Sequence, residues 1–336
     1  MSDRGRQARR RPTIDDVARR AGVSAAAVSF AMNGKGGVAE ATRARILDAA
    51  AELGWRPSAP ARALSRARAG AIGLLLARPV ETLEVDPFFL RFLAGVERAL
   101  ARTDHALLLR VLDRAGPVDV SVYERLAASG RVDGFLLCDV ELDDQRFEPL
   151  AAAALPVVVA GHPPGECPFP SLETRHAEGL AGATAHLVGL GHERIGFLGG
   201  RGRYEYEQAR LAAWRGELVR AGLAEGPVAF GDAHAVIGGT TAVVCTSDVL
   251  AAAALAAARE RGIDMPGELA ITGFDDSPLA ALSSPRLTSV RIDYAQFGEA
   301  AAAALLAAIA GEPPPAFDAA PPQLLVRAST AGAVGV

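Results

Sequence analysis

The side chains best placed to do chemistry in this sequence follow directly after apolar runs. Ser247 and Asp248 come after Ala242–Cys245, and Asp275 and Asp276 come just after Leu269–Gly273. Polar residues in that position are the pattern of ligand contacts at the carboxyl ends of buried parallel strands. Two neighbouring carboxylates can share acid–base work, but no nucleophile or histidine stands beside Asp275-Asp276, so binding is the better reading than turnover and an enzyme is not expected. Gly199-Gly200-Arg201-Gly202 follows another such run, yet it lacks the third glycine of the dinucleotide fingerprint, and no acidic ribose contact is evident downstream. Cys138, Cys167 and Cys245 lie far apart, with no C-x-x-C and no histidine at ligand spacing. Reduced thiols are expected, with no metal site and no cofactor.

Charge is divided along the chain. Residues 1–68 hold 14 of the 35 Lys and Arg but 6 of the 39 Asp and Glu, so this head carries +8 and the remainder −12. A basic head on an acidic body meets a polyanion with the head alone.

These groups need elements to position them. Residues 1–12 read as a disordered basic arm. Ile14, Val17, Ala18 and Ala21 have helical spacing, Thr13 and Asp16 fit a capping box, and Gly22 suits the helix end. Ser24 then caps a second helix, Ala25 to Met32, with Ala25, Val28 and Met32 inward. After the turn at 33–37, a third helix from about Ala39 to Leu53 turns Ile46, Leu47, Ala50 and Leu53 inward. Three short helices with a tight Gly22-Val23-Ser24 turn suit a helix-turn-helix, the alternative being a generic helical bundle. From Ala69 apolar runs alternate with helical stretches: Ile72–Leu76, Ala106–Leu112, Gly134–Leu137, Pro156–Ala160, Ile195–Leu198, Ala242–Cys245 and Leu269–Gly273 as buried strands, Leu324–Val326 as a short last one. That alternation predicts α/β architecture, with parallel sheets in two lobes. Half of the 336 residues are hydrophobic, enough for a large core. No apolar stretch is long enough for a membrane span, and no apolar signal segment follows the basic start, so a cytoplasmic protein is expected.

The head resembles the LacI/GalR repressor family. The resemblance rests on Thr13-Ile14-Asp15-Asp16-Val17-Ala18, Ala21-Gly22-Val23-Ser24, Val28-Ser29, Asn33-Gly34, Thr42-Arg43, Glu52-Leu53-Gly54-Trp55, Pro57 and Ala61-Arg62-Ala63-Leu64. It continues through Gly189–Gly200, Ser247–Ala251, Gly273–Asp276 and Pro285–Val290. It implies a helix-turn-helix over 13–57, a hinge helix or linker over 58–68, and a periplasmic-binding-protein-like core over 69–333. The first lobe would cover about 69–161 and 293–320, the second about 162–292 and 321–333.

It also implies roles. Ala25, Ala26 and Phe30 occupy base-reading positions, where apolar side chains can pack on thymine methyls but cannot form bidentate contacts. Phe30 could instead be core. Ser24, Ser29, Asn33, Thr42 and Arg43 would sit on phosphates, and Thr13 joins the DNA-facing set. Ala61 and Leu64 lie in the hinge, with Leu64 as a minor-groove wedge. Ala39 stands where relatives place a capping serine. In the core, Arg210 matches an arginine that clamps polar effectors, the other possibility being a structural pair with a nearby Glu. Asp275 matches a carboxylate that accepts from ligand hydroxyls, or is a loop cap. Ser247 replaces a usual Asn, Thr174-Arg175 a usual Asp-Asn, and the stretch between Asp232 and Ala242 is shorter than the family pattern. Phe274, and Phe88 or Phe89, would form an apolar wall, the alternative being simple core packing.

The partners expected are a palindromic double-stranded DNA operator, a small effector (a sugar or derivative) and a second copy of the chain, with no membrane. The competing readings are an exported sugar-binding protein, a nucleotide-cofactor enzyme of similar fold, and a nucleoid-type architectural protein.

Overall fold

The computed structural model describes residues 12–32, 37–56, 68–79, 86–112 and 119–330, with the main chain alone at Pro87. The expectations for the arm, for Asn33 and for the hinge with Ala61 and Leu64 fall outside the described residues. The chain divides into a unit of residues 1–70 and a unit of residues 71–336.

The first unit holds α1 (Ile14–Ala21), α2 (Ala25–Met32) and α3 (Glu40–Leu53). The Asp16 carboxylate accepts from the Thr13 N–H at 2.9 Å and its hydroxyl at 2.8 Å, closing the start of α1. Those two bonds hold Asp16 below the usual carboxylate range. Gly22, at φ +68°, ends α1 in a conformation that costs a side-chain-bearing residue. The Ser24 hydroxyl accepts from the Ala27 N–H at 3.2 Å and starts α2. Ala39 offers α3 no side-chain cap. Val17, Ala18, Ala21, Val28, Ala31, Ile46, Ala49 and Ala50 form the core. Ala25 and Met32 pack at its margin, and Ala31 takes the buried place on α2. Leu47, expected inward, is exposed, because the buried line of α3 runs through Ile46, Ala49 and Ala50.

The second unit is two α/β lobes. A five-stranded sheet runs β2-β1-β3-β4-β5, all parallel, from β1 (Ala71–Leu76), β2 (Ala106–Val111), β3 (Gly134–Leu137), β4 (Val157–Ala160) and β5 (Ser171–Leu172). Helices α4 (Pro87–Leu100), α5 (Ser121–Ala128) and α6 (Phe147–Ala152) belong to this lobe. A six-stranded sheet runs β11-β10-β9-β8-β6-β7, from β6 (Ile195–Gly199), β7 (Val228–Phe230), β8 (Ala242–Cys245), β9 (Ala270–Phe274), β10 (Thr288–Arg291) and β11 (Gln323–Leu325); β11 alone is antiparallel. Its helices are α7 (His176–Gly189), α8 (Glu205–Ala221), α9 (Ala233–Val236), α10 (Asp248–Glu260) and α11 (Pro278–Leu282). The last helix, α12 (Tyr294–Ala310), returns to the first lobe and packs on α4. The two approach closely because a Cβ at Gly95 would lie 2.0 Å from the Ala295 carbonyl, and one at Gly298 2.1 Å from that of Phe92.

The run Ala106–Leu112, expected as a buried strand, forms β2 over Ala106–Val111. It is an edge strand, with Leu109 and Val111 exposed. β5 extends the first sheet to Leu172, so the first lobe runs past the expected limit near 161. β5, β7 and β10 carry no long apolar run, since two lie at sheet edges and Thr288 and Ser289 bury hydroxyls held by hydrogen bonds. The shortened stretch after Asp232 forms α9, whose Ala233 and Val236 pack into the second lobe.

Candidate effector cavity and nucleic-acid interface

Strand ends and the starts of α4, α8 and α12 surround a cavity of about 340 Å³ in the second unit. It is lined from the first sheet by Arg78, Asp86, Phe88 and Asp139, and from the second by Tyr206, Glu207, Arg210, Ser247 and Asp275, with Tyr294 at the crossing.

Arg210 rises from α8 with its guanidinium carbon 4.0 Å above the Phe274 ring and 5.3 Å from that of Tyr206. Its Nη1 donates to the Thr246 carbonyl at 2.8 Å, and its buried Nε finds no hydrogen-bond partner among the described residues. Glu207, three residues earlier on the same helix, accepts through Oε1 from the Gly200 N–H at 3.0 Å and the Thr246 hydroxyl at 3.1 Å. Its Oε2 is buried with no hydrogen-bond partner among the described residues. The two donors to Glu207 meet its Oε1 and come from Gly200 and Thr246, not from Arg210. Burial raises the Glu207 carboxyl, against the pull of Arg210.

Asp275 sits at φ +94° and Asp276 at φ +45°, in backbone regions that side chains rarely adopt. Arg91 of α4 holds both peptides, donating to the Asp275 carbonyl at 2.7 Å and the Asp276 carbonyl at 2.8 Å. The Asp275 carboxylate accepts from the Tyr294 hydroxyl at 2.7 Å. Burial pushes its carboxyl up to about 7, although Arg210 draws it down. Asp276 faces elsewhere: Arg291 and Arg327 each reach it at 2.6 Å and hold it below the usual range. The adjacent carboxylates therefore do not form an acid–base pair.

Arg78 is fixed on the first-lobe side. It meets both carboxylate oxygens of Asp139, at 2.7 and 2.5 Å, and that of Asp86 at 2.7 Å. Its guanidinium stacks 4.9 Å from the Phe89 ring and 5.2 Å from that of Tyr204. It also donates across to the Tyr206 hydroxyl at 3.0 Å. Alongside it, the Leu142 N–H donates to the Arg203 carbonyl at 3.0 Å and the Glu205 N–H to the Val140 carbonyl at 2.9 Å. These bonds and those of Arg91 tie the lobes together.

Of the expected effector residues, Phe88, Arg210, Ser247 and Asp275 line one cavity. Phe274 does not. It is fully buried and forms the floor under Arg210, because its ring turns into the second-lobe core. The Ser247 hydroxyl also caps α10, accepting from the Leu250 N–H at 3.2 Å. Thr174 lines the cavity, whereas Arg175 pairs with Glu178. The Gly200 amide that could face a phosphate is taken by Glu207. Sequence reasoning missed Arg78, Asp139, Glu207, Tyr206 and Tyr294. The strand-end rule that marked Asp275 applies equally to Arg78 and Asp139, and Glu207 shares a helix face with Arg210.

On the head, Ala26 and Phe30 are exposed on α2, Phe30 at 45%. That excludes the core reading of Phe30. Ala25, Ser29, Thr42 and Arg43 are half-buried, and Ala25 packs on the head's core.

Residues 13–58 match the family "Bacterial regulatory proteins, lacI family", and residues 184–330 match "Periplasmic binding protein-like domain". The HTH-type transcriptional regulator reg1 of Streptomyces lividans is 37% identical, over 96% of this chain and 97% of its own length. The HTH-type transcriptional regulator MalR of Streptomyces coelicolor is 36% identical, over 96% and 97%. A solved complex of the transcriptional regulator CelR with cellobiose superposes with a TM-score of 0.70 at 29% identity, covering 95% of this chain and all of that one.

Proposed function

The chain belongs to the LacI family of DNA-binding transcriptional regulators, and from that premise we propose that it is a repressor whose operator affinity is set by a carbohydrate. The observation carrying this reading is the cavity between the two sheets, where Arg210 and Glu207 keep buried hydrogen-bonding atoms open beside Asp275. Buried polar atoms seldom go unpartnered. Sugar hydroxyls supply donors and acceptors in the required density, and a solved relative holds cellobiose.

Two copies of the chain bind a palindromic operator. Ala26 and Phe30 lie against bases, with Ala25 at the base-facing edge, and Thr13, Ser24, Ser29, Asn33, Thr42 and Arg43 hold the backbone. Ala61 and Leu64, in the segment 58–68, contact the DNA between the two copies, with Leu64 as a wedge in the minor groove. Phe88, Arg210, Ser247 and Asp275 hold the effector, and Phe274 supports Arg210 from below. Through contacts such as Arg78 with Tyr206, ligand occupancy biases the lobes between arrangements that do and do not permit pairing of the hinges. Among the described residues no helix is long and apolar enough to cross a membrane. A DNA partner supports a cytoplasmic location.

The test is a gel-shift titration of the full-length protein with inverted-repeat and scrambled duplexes at several salt concentrations. Expected are a preference for the repeat, a steep fall of affinity with salt, and a change of affinity with a saccharide. Equal affinity for both duplexes under all conditions would overturn the reading.

A further inference from the structure

We propose that Glu207 is a specificity-determining residue which, beside Arg210, admits an uncharged polyhydroxylated effector and turns away its phosphorylated forms. This rests on the carbohydrate reading above and narrows it.

Glu207 and Arg210 stand one turn apart on α8, 4% and 7% exposed, and both face the cavity. Each has one partnered end and one open end. Glu207 leaves Oε2 open as an acceptor, and Arg210 leaves Nε open as a donor; Arg201, which also lines the cavity, leaves a buried Nη1. An open acceptor next to open donors is the complement of hydroxyl groups, which donate and accept at once. A phosphate dianion only accepts. It could take the arginine donors, but Oε2 would stay unpartnered with a second anion beside it, and unpartnered buried groups are costly.

The surroundings add to this discrimination. Three arginines and five carboxylates line the cavity among the described residues. Arg78 is already held by Asp86 and Asp139, so it presents no uncompensated charge to an anion. The Gly200 amide, on a glycine-rich loop that otherwise suits phosphate, donates to Glu207. The same carboxylate thus occupies the anion-binding element.

The experiment uses full-length protein and a panel of neutral mono- and disaccharides, among them glucose, maltose and cellobiose, each alongside its 6-phosphate. Binding is read by calorimetry and thermal shift. In the wild type the parent sugar that binds is expected to exceed its phosphate by roughly thirtyfold or more. Glu207→Gln keeps the side-chain volume and removes the charge, and is expected to weaken the parent roughly tenfold and narrow that ratio to a few fold. A residue that merely supports the fold would weaken both ligands alike. Glu207→Asp keeps the charge but withdraws the oxygen, so it should weaken the parent while retaining the discrimination. The wild-type comparison holds even if a variant fails to fold.

Equal or tighter binding of a phosphate by the wild type, or an unchanged ratio in a folded Glu207→Gln protein, would overturn this assignment and leave the carbohydrate reading intact. If no saccharide of either series binds a protein that still recognises its operator, the carbohydrate reading falls first, and the role of Glu207 falls with it.

Discussion

Replacing Arg210 by Ala removes a guanidinium that does two jobs, and the geometry sets a size for each. Within the fold, one charge-assisted bond to the Thr246 carbonyl and the stacking on Phe274 are lost. Such a bond contributes about 1.5–3 kcal/mol and a desolvated cation–π contact about 2 kcal/mol. Relief from burying the charge offsets part of this, so a destabilisation of about 2 kcal/mol is expected. For the ligand, the buried Nε has no hydrogen-bond partner among the described residues, and an effector that takes two charge-assisted bonds from the guanidinium gains at least about 3 kcal/mol, or roughly a hundredfold in affinity. The assay is an operator gel shift at fixed salt, titrated with the saccharide that acts on the wild type, with thermal melts run in parallel. Operator binding without effector should match the wild type, because the head's contacts are untouched. The half-effect concentration should rise about a hundredfold, and Arg210→Lys should fall between, since it keeps the charge without the planar fork. A folded Arg210→Ala protein whose half-effect concentration stays within about threefold of wild type would refute the clamp, because that change is worth less than one hydrogen bond.

Asp275 gives a pH-dependent prediction. Its carboxyl lies at about 7 in the fold, against roughly 3.9 in an unfolded chain. The protonated form suits the fold, so its contribution is complete below pH 4 and lost as the pH rises through 7. Asn preserves the neutral shape and tolerates positive φ. Asp275→Asn should therefore equal the wild type near pH 4 and exceed it by up to about 4 kcal/mol at pH 8 in urea unfolding; a difference that does not vary with pH would contradict the burial of this charge. Phe30→Ala should change the stability of the head by about 0.5 kcal/mol or less, since the ring is 45% exposed. The same change should weaken operator binding on the order of fivefold, whereas a clear loss of thermal stability would contradict the exposed position of the ring. Leu64→Gly should weaken binding to the operator at least about tenfold more than to random DNA, the size of one lost wedge contact; equal losses would remove the wedge assignment.

The sequence alone determined what local rules decide. The helix-turn-helix was legible because its signals are contiguous: Thr13 with Asp16, Gly22 at the left-handed end, and Ser24 before α2. The central strands were legible because each is buried on both faces and reads as an unbroken apolar run. Other strands escaped because they lie at a sheet edge with half their surface in water, as with Val228–Phe230, or because they bury polar groups held by hydrogen bonds, as with Thr288–Arg291. Asp275 and Arg210 stood out by position, but the direction in which each neighbour points did not. Asp276 turns away to Arg291 and Arg327, and Phe274 turns into the core. Only the tertiary structure decided which charges meet, because Arg78 and Asp139 are 61 residues apart in the chain and come within hydrogen-bonding distance through the parallel pairing of β1 and β3. Composition records that the core is acidic. Folding decides that one carboxylate, Glu207, stands in the cavity with an oxygen unsatisfied, since that depends on which donors the neighbouring strands bring to its other side.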